Sequence, residues 1–254
     1  MILVGDIGNT SVSIGAYEGE RLLFSSRMTT DKNKDCDGYK AEILDIFSRY
    51  GVSAEDFSGS IVSSVVPEVT EGVTGAFREI TGTEPLTVGE KYNGNLKVEI
   101  LPVSQLGADL VAGAVGALDA YTMPCVVIDI GTATTVTVLD RNGALLGGTI
   151  AAGVRLTLKA LTENTAQLTS IPIEAPTSVI GTNTMACMQS GLVYGTAAML
   201  DGLLERIELE LGEAPTVVAT GGLSREIIEH CKANIIYNEN LLLDGLRAIY
   251  EKNN

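Results

Sequence analysis

The sequence predicts an α/β protein built from two halves of similar design, each with a mixed sheet and flanking helices. Two observations predict this class: β-branched strand patterns alternate with helical patterns, and a short strand-turn motif occurs once near the start of each half. The 254 residues, of which 45% are hydrophobic and 19% charged, can bury a large core. We expect one domain at residues 1–117 and a second at residues 118–254, packed around a cleft.

The repeated motif is a strand that runs into Asp-Ile-Gly and then a turn containing threonine. It occurs at residues 4–10 and again at residues 127–135, where Asp129 occupies the position of Asp6. A second alternating apolar pattern follows each copy. Each half is therefore expected to begin with a β-hairpin whose turn holds an aspartate and a glycine.

Strand and helical patterns alternate after the hairpin in both halves, which indicates α/β layers and excludes an all-helical bundle. Apolar residues at helical spacing and β-branched runs define the remaining elements. The predicted elements are a helix at 39–50, a strand at 60–66, a helix from Pro67, a helical run at 110–118, a long helix at 189–211, a strand at 216–219 and a helix from Ser224.

The charge balance excludes several functions. Asp and Glu number 32 against 17 Lys and Arg, for a formal net charge of -15. Nucleic acids and anionic membranes both require a basic surface, so we expect neither as a partner. A phosphate ligand would need local neutralisation by backbone N–H groups, a few placed cations and a metal ion.

The cysteines and the single histidine exclude other kinds of site. The four cysteines are scattered without a Cys-x-x-Cys pair, and His230 is the only histidine, so a structural zinc site and His-dependent triads are not expected. The N-terminal apolar run is interrupted by Asp6, and no apolar stretch reaches about 18 residues. We expect a cytoplasmic protein with reduced thiols and no membrane span.

An Asp-x-Gly-x-Thr turn suits phosphate chemistry. Glycine lets the backbone approach a ligand, amides and hydroxyls donate to phosphate oxygens, and the carboxylate can hold hydrated magnesium. A plain hairpin connection is the alternative for one copy. Two copies and a third Gly-rich turn at residues 220–222 favour a nucleotide site, although that third turn also suits a helix start with Ser224 as N-cap.

Two further segments have alternative interpretations. Residues 146–153 hold three glycines, which fits a close-packed crossing or a wall against which a ligand lies. Asp109 precedes an apolar helical run, so it is either an N-cap or a carboxylate that orients or deprotonates a substrate hydroxyl. Spacing alone favours the cap.

Taken in order, these motifs resemble the type III pantothenate kinases over nearly the whole chain. The motifs are Asp6-Ile-Gly-Asn-Thr10, Gly107-Ala-Asp109, Asp129-Ile-Gly-Thr-Ala-Thr-Thr135, Gly147-Gly-Thr-Ile150, Ile180-Gly-Thr-Asn-Thr184 and Thr220-Gly-Gly222. The resemblance implies two ribonuclease H-like domains of the actin, hexokinase and Hsp70 group. It also implies ATP-dependent phosphorylation of pantothenate to 4′-phosphopantothenate, the first step of coenzyme A biosynthesis, by a homodimer.

The resemblance also implies roles for individual residues. Asp109 would be the general base, Asp6 would face magnesium, and Asp129 would help to place a monovalent cation, potassium or ammonium. The residues implied at ATP and its phosphates are Asp6, Gly8, Asn9, Thr10, Thr132, Thr134, Gly221 and Gly222. The residues implied at pantothenate are Tyr92, Gly107, Ala108, Leu110 and Thr184, with Thr184 reaching in from the partner subunit.

Two positions depart from the family pattern. Leu110 stands where the family usually has an arginine after the aspartate, and Ala152 stands where it usually has proline. Arg155 or Lys159 could supply the missing cation. The alternatives to a pantothenate kinase are a weakened or inactive relative with a regulatory or binding role, and a kinase of another small hydroxylated substrate.

Overall fold

The computed structural model describes residues 1–89, 91–100 and 106–253, and it divides the chain into two compact units. Unit 1 comprises Met1–Ala120 together with the chain from Asn240 onward, and unit 2 comprises Tyr121–Glu239. None of the helices in the described ranges is long and apolar enough to cross a membrane.

Unit 1 contains five strands and four α-helices among its described residues. They are β1 (Ile2–Ile7), β2 (Ser11–Glu18), β3 (Arg21–Thr29), α1 (Cys36–Tyr50), β4 (Gly59–Ser64), α2 (Pro67–Thr81), β5 (Leu86–Thr87), α3 (Ala108–Ala120) and α7 (Leu241–Glu251), with a 3-10 turn at Ala54–Asp56. The strand order is β3-β2-β1-β4-β5, with antiparallel pairing from β1 to β3 and parallel pairing of β1, β4 and β5. The core includes Phe47 and Phe77, from α1 and α2, packed with apolar side chains of the sheet.

Unit 2 repeats this plan. Its elements are β6 (Cys125–Ile130), β7 (Ala133–Leu139), β8 (Leu145–Ala152), α4 (Val154–Asn164), α5 (Thr184–Leu211), β9 (Thr216–Thr220), α6 (Ser224–Ile228) and β10 (Ile236–Tyr237). The strand order β8-β7-β6-β9-β10 matches that of unit 1 strand for strand, with the same antiparallel and parallel pairs. Helix residues such as Leu158, Leu192 and Ile227 pack against the sheet in its core.

The two matching sheets confirm the predicted fold class of a mixed sheet with flanking helices in each half. The duplicated motif forms the β1–β2 hairpin in one unit and the β6–β7 hairpin in the other. Helix α5 begins earlier than predicted because Asn183 caps it, accepting a hydrogen bond from the Ala186 N–H at 2.9 Å. Helix α6 begins at Ser224 itself, with Leu223 in the capping position.

The C-terminal helix differs from the predicted division at residue 117. The predicted second domain ran to residue 254, whereas α7 belongs to unit 1. Polar contacts explain this: the Tyr17 hydroxyl donates to Asp244 Oδ1 at 2.6 Å, and the buried Arg247 guanidinium pairs with Asp119 and Glu251. These contacts fix α7 to β2 and to the end of α3.

Two glycines allow α3 and α7 to cross closely. A Cβ at Gly245 would lie 1.8 Å from the Ala112 carbonyl oxygen, and one at Gly116 would lie 2.3 Å from the Leu241 carbonyl oxygen. Both obstacles are backbone atoms of the facing helix, so a side chain cannot be accommodated by a rotamer change. This crossing sets the position of α3.

We expect Gly245→Ala to reduce the free energy of unfolding by about 2 kcal/mol or more, because the added methyl group must separate α3 from α7. Chemical denaturation measures the effect. Gly195→Ala is the matched control: Gly195 lies within α5 with nothing within 4 Å of its Cβ position, so this change should leave stability equal or raise it by up to about 1 kcal/mol. Equal stability of Gly245→Ala and wild type would contradict the close crossing.

Candidate active site

The pairing of β4, β1, β2 and β3 aligns four polar side chains across the sheet of unit 1. Asp6 pairs with Ser63 on one side and with Ser13 on the other, and Ser13 pairs with Arg27. Directly opposed residues on neighbouring strands share a face of the sheet. We call Ser63, Asp6, Ser13 and Arg27 the Asp6 row. It runs from fully buried Ser63 to exposed Arg27, close to the β1–β2 turn.

The Asp6 carboxylate is held by one short hydrogen bond in a partly desolvated position. Ser63 Oγ donates to Asp6 Oδ1 at 2.6 Å. Burial raises the pKa of Asp6 to about 6, the Ser63 bond opposes this, the charge of Asp109 raises the pKa further, and the charge of Arg27 lowers it. A half-buried carboxylate with incomplete neutralisation is a suitable position for a cation.

The β1–β2 turn beside Asp6 presents polar groups to solvent. Its residues Asn9 and Thr10 are exposed, while the Gly8 N–H donates to the Ser11 carbonyl. Thr30 secures the turn, since its Oγ1 donates to the Gly8 carbonyl at 2.6 Å and its N–H donates to the Thr10 carbonyl at 3.1 Å. The turn is thus held by one hydrogen bond within its own backbone and by two from Thr30.

Asp109 lies in the first turn of α3, and it does not cap the helix. The helix starts at Ala108, and its first i to i−4 bond runs from the Val111 N–H to the Gly107 carbonyl. The Asp109 carboxylate instead accepts the N–H of Leu110 at 2.8 Å. Desolvation raises the pKa of Asp109 despite this bond and the one from its own N–H, which makes the carboxylate a stronger base.

Gly107 and Leu110, which lie close to Asp109 in the sequence, affect its carboxylate in different ways. A Cβ at Gly107 would lie 2.4 Å from Asp109 Oδ1, so only glycine leaves the carboxylate in its observed place. Leu110 contributes its backbone N–H, and its apolar side chain provides no cation. Ala108, which begins α3, and Tyr92, in the segment after β5, are half-buried residues of the same unit.

Unit 2 contains the equivalent of the Asp6 row. Asp129 pairs with Thr220 of β9 and with Thr135 of β7, and Thr135 pairs with Ile150 of β8. We call these four residues the Asp129 row. Its exposure follows the same gradient, from Thr220, which is buried, to Ile150, which is 75% exposed. The row therefore ends in an apolar side chain where unit 1 has Arg27.

Gly221 follows β9 and lies against Asp129. Its φ of +99° lies in the left-handed region, and a Cβ there would lie 2.4 Å from Asp129 Oδ1 and 2.7 Å from the Ile130 carbonyl oxygen. Two oxygen atoms thus border the space beside Gly221. Oxygen groups of this kind suit a hard cation, whereas the next residue, Gly222, is simply exposed in the turn.

The two predicted threonines of the β6–β7 hairpin lie in different environments. Thr132 is exposed in the turn, and its carbonyl accepts the Gly153 N–H at 3.1 Å. Thr134 pairs with Ile130 and is 1% exposed, on the face opposite that of Asp129, because alternate strand residues point to opposite faces. The structure therefore does not bring the Thr134 side chain to the Asp129 row.

The remaining sequence candidates lie elsewhere in unit 2. Thr184 is an exposed residue at the start of α5. Arg155 and Lys159 are exposed on α4, and Lys159 lies 3.7 Å from Glu163. The glycines of β8 have a packing role, since a Cβ at Gly148 would lie 2.0 Å from the Val136 carbonyl oxygen, which supports the close-packed interpretation there.

Comparison with known proteins decides the family. The family model described as type III pantothenate kinase matches residues 2–206. The type III pantothenate kinase of an Exiguobacterium species is 38% identical over 253 residues, covering 100% of this chain and 99% of the relative. That of Dehalococcoides mccartyi is 38% identical over 248 residues, covering 98% and 96%.

The chain belongs to the type III pantothenate kinase family.

Solved structures outside this close set share the fold. A conserved Baf family transcriptional activator from Campylobacter jejuni superposes with a TM-score of 0.58 at 18% identity, covering 99% of this chain and 98% of that one. The activator of 2-hydroxyisocaproyl-CoA dehydratase from Clostridium difficile, solved with bound ADPNP, gives 0.56 at 16% identity, covering 99% and 94%. These two proteins therefore share the fold of this chain.

Three residues of the Asp6 row, Ser63, Ser13 and Arg27, were missed by the sequence analysis. Ser63 donates a hydrogen bond to Asp6, and the charge of Arg27 lowers the pKa of Asp6, but neither residue belongs to a recognisable sequence motif. Counting back from the strand ends would have found Ser63, because β1 and β4 pair in parallel and end together. Arg27 required the register of a second antiparallel pair.

Within this type III pantothenate kinase family member, Asp6→Asn should stabilise the ligand-free protein at pH 8. The folded protein holds the Asp6 proton more tightly than the unfolded chain, whose aspartate has a pKa near 3.8. The stability that the folded wild-type protein gains from this proton is fully present below pH 3.8 and is lost as the pH rises through about 6. We expect the melting temperature of Asp6→Asn to exceed that of wild type by a few degrees at pH 8, and the difference to shrink at pH 4.5.

The control for this measurement is Glu20→Gln, which neutralises an exposed carboxylate in the β2–β3 turn. It should leave the melting temperature unchanged at both pH values. A lower melting temperature of Asp6→Asn than of wild type at pH 8, without magnesium or nucleotide, would contradict the desolvated state assigned to Asp6.

Proposed function

We infer that the protein transfers the terminal phosphoryl group of ATP to the hydroxyl of pantothenate, giving 4′-phosphopantothenate and ADP, the first step of coenzyme A biosynthesis. Family membership carries the reaction class. The observation in the structure that supports the chemistry is the presence of two partly desolvated carboxylates in unit 1, Asp6 and Asp109, close enough for the charge of Asp109 to raise the pKa of Asp6.

Asp109 is the proposed general base. A carboxylate has more acceptor capacity than the single Leu110 N–H uses, so Asp109 can also accept a substrate hydroxyl. The hydroxyl proton moves to the carboxylate as its oxygen bonds to phosphorus, and the bond from phosphorus to the bridging oxygen of ADP breaks. Since such transfers depend chiefly on positioning and charge neutralisation, the base mainly orients the nucleophile.

Asp6 and the β1–β2 turn form the proposed phosphate side. The exposed Asn9 and Thr10 can donate to phosphate oxygens, with Gly8 allowing close approach, and the Asp6 carboxylate suits the water shell of magnesium. Magnesium bound with ATP supplies positive charge next to the phosphates. One carboxylate is a sufficient protein contribution, because this ion keeps waters and takes phosphate oxygens as ligands.

Unit 2 supplies the proposed remaining contacts. Thr132, Gly221 and Gly222 are proposed at ATP, and the oxygens of Asp129 and Ile130 beside Gly221 fit a monovalent cation, potassium or ammonium. The hydroxyl of Thr134 is directed to the opposite face of the sheet, so its proposed part is limited to its backbone.

The acceptor pocket and the dimer are proposed together. Tyr92, Gly107 and Ala108 are proposed at pantothenate, Leu110 through its backbone, and Thr184 from the partner subunit of a homodimer. Among the residues that the structure describes, eight of the ten exposed large hydrophobic side chains belong to unit 2, including Ile150 and Ile180. Exposed apolar surface of this kind supports self-association, which sedimentation equilibrium would measure.

We propose the cytoplasm as the site of action. All four cysteines are free in the structure, as reduced thiols would be.

Asp109→Asn should fold normally and lower kcat for pantothenate phosphorylation by about 100-fold or more, because the amide cannot take the hydroxyl proton. ADP release in the presence of magnesium and potassium measures kcat, and the melting curve reports folding. Asp37→Asn is the matched control, since Asp37 is also a first-turn aspartate, of α1, and is exposed. It should retain full turnover.

Unchanged turnover in folded Asp109→Asn would exclude Asp109 as the base. A wild-type protein that binds ATP but turns over other hydroxylated acids or sugars in preference to pantothenate would instead contradict the proposed substrate.

A further inference from the structure

Among the residues that the structure describes, none forms a salt bridge with Arg27, although the chain is strongly acidic. The net charge is -15, yet within residues 1–89, 91–100 and 106–253 the salt bridges use other basic residues. Arg27 Nε donates a hydrogen bond to Ser13 Oγ at 3.3 Å. That bond orients the guanidinium and leaves its terminal N–H donors available for an anion.

The position of Arg27 relates it to the phosphate side of the proposed site. Arg27 lies two strands away from Asp6 on the same face of the sheet, so the backbones of the two residues are about 10 Å apart. It also lies near the end of β3, just before Thr30, which secures the β1–β2 turn through two hydrogen bonds. Arg27 and the exposed Asn9 and Thr10 therefore occupy the same edge of unit 1.

The duplicated fold offers an internal comparison. The position equivalent to Arg27 in the Asp129 row is Ile150, although the strands, pairings and exposure gradient of the two rows match. The fold itself does not require a cation at this position. The arginine is thus specific to the Asp6 row. The hairpin turn next to this row is also longer than the β6–β7 turn next to the Asp129 row.

We propose that Arg27 binds the phosphate chain of ATP and supplies the fixed positive charge on the side of unit 1 that Leu110 cannot provide. A guanidinium suits this role because it offers two parallel N–H donors to phosphate oxygens and stays charged at all working pH values. Arg27 could also bind the carboxylate of pantothenate, but its proximity to the β1–β2 turn favours the phosphates of ATP. The inference rests on the proposed use of ATP.

The test compares Arg27→Gln and Arg27→Lys with Arg21→Gln, a change at an exposed arginine near the start of the same strand. For Arg27→Gln we expect the KM for ATP to rise by about 10- to 100-fold, with the KM for pantothenate unchanged. Arg27→Lys should give a smaller rise, because the charge is kept and the paired donors are lost. Arg21→Gln should match wild type.

Calorimetric titration with magnesium ATP, in the absence of pantothenate, provides a second readout that does not depend on turnover. Weaker binding of magnesium ATP by Arg27→Gln would support the inference even if the phosphoryl acceptor is a molecule other than pantothenate. The titration therefore distinguishes a failure of this inference from a failure of the proposed substrate. Two outcomes would overturn it: ATP binding by Arg27→Gln equal to that of Arg21→Gln, or a rise in the KM for pantothenate with the KM for ATP unchanged.

Discussion

The parallel pairing of β1 with β4 is the constraint on which the candidate site depends. It places Ser63 beside Asp6, and the resulting 2.6 Å hydrogen bond holds a carboxylate in a position where burial and the charge of Asp109 both favour its neutral form. The crossing of α3 with α7 at Gly116 and Gly245 supports the other carboxylate, since α3 carries Asp109 at its first turn. A cation bound beside these carboxylates would favour their charged forms.

This arrangement explains how a chain with a net charge of -15 can serve a phosphate substrate. Bulk charge repels ATP weakly at physiological ionic strength, because exposed charges beyond about 10 Å are screened. In the proposed site, local groups would decide binding instead: a hairpin turn held by Thr30, a carboxylate suited to magnesium, and one arginine bonded to Ser13. Leu110 provides no positive charge on α3 where the family usually has an arginine, but its backbone N–H still orients the Asp109 carboxylate.

The sequence predicted the duplicated hairpins and most of the helices because their signals are local. The period of the apolar residues marks α1 and α2, and Asp-Ile-Gly marks the ends of β1 and β6. Relations set by strand register were missed. Ser63 lies beside Asp6 through the parallel pairing of β1 with β4, and Arg27 joins the row through two antiparallel pairs. The alternation of side chains along β7 places the Thr134 side chain on the face opposite that of Asp129. The assignment of α7 to unit 1 was missed for a similar reason, since Arg247 finds its partner Asp119 far away in the sequence.

The most direct test of the account is mass detection of the product formed from pantothenate by the wild-type protein. The reaction would contain ATP and magnesium, with potassium or ammonium either present or omitted. We expect 4′-phosphopantothenate in amounts equal to the ADP released, with formation dependent on the monovalent cation. A folded protein that binds ATP but forms no phosphopantothenate under any of these conditions would contradict it, and would show that the chain has kept the family's fold without its reaction.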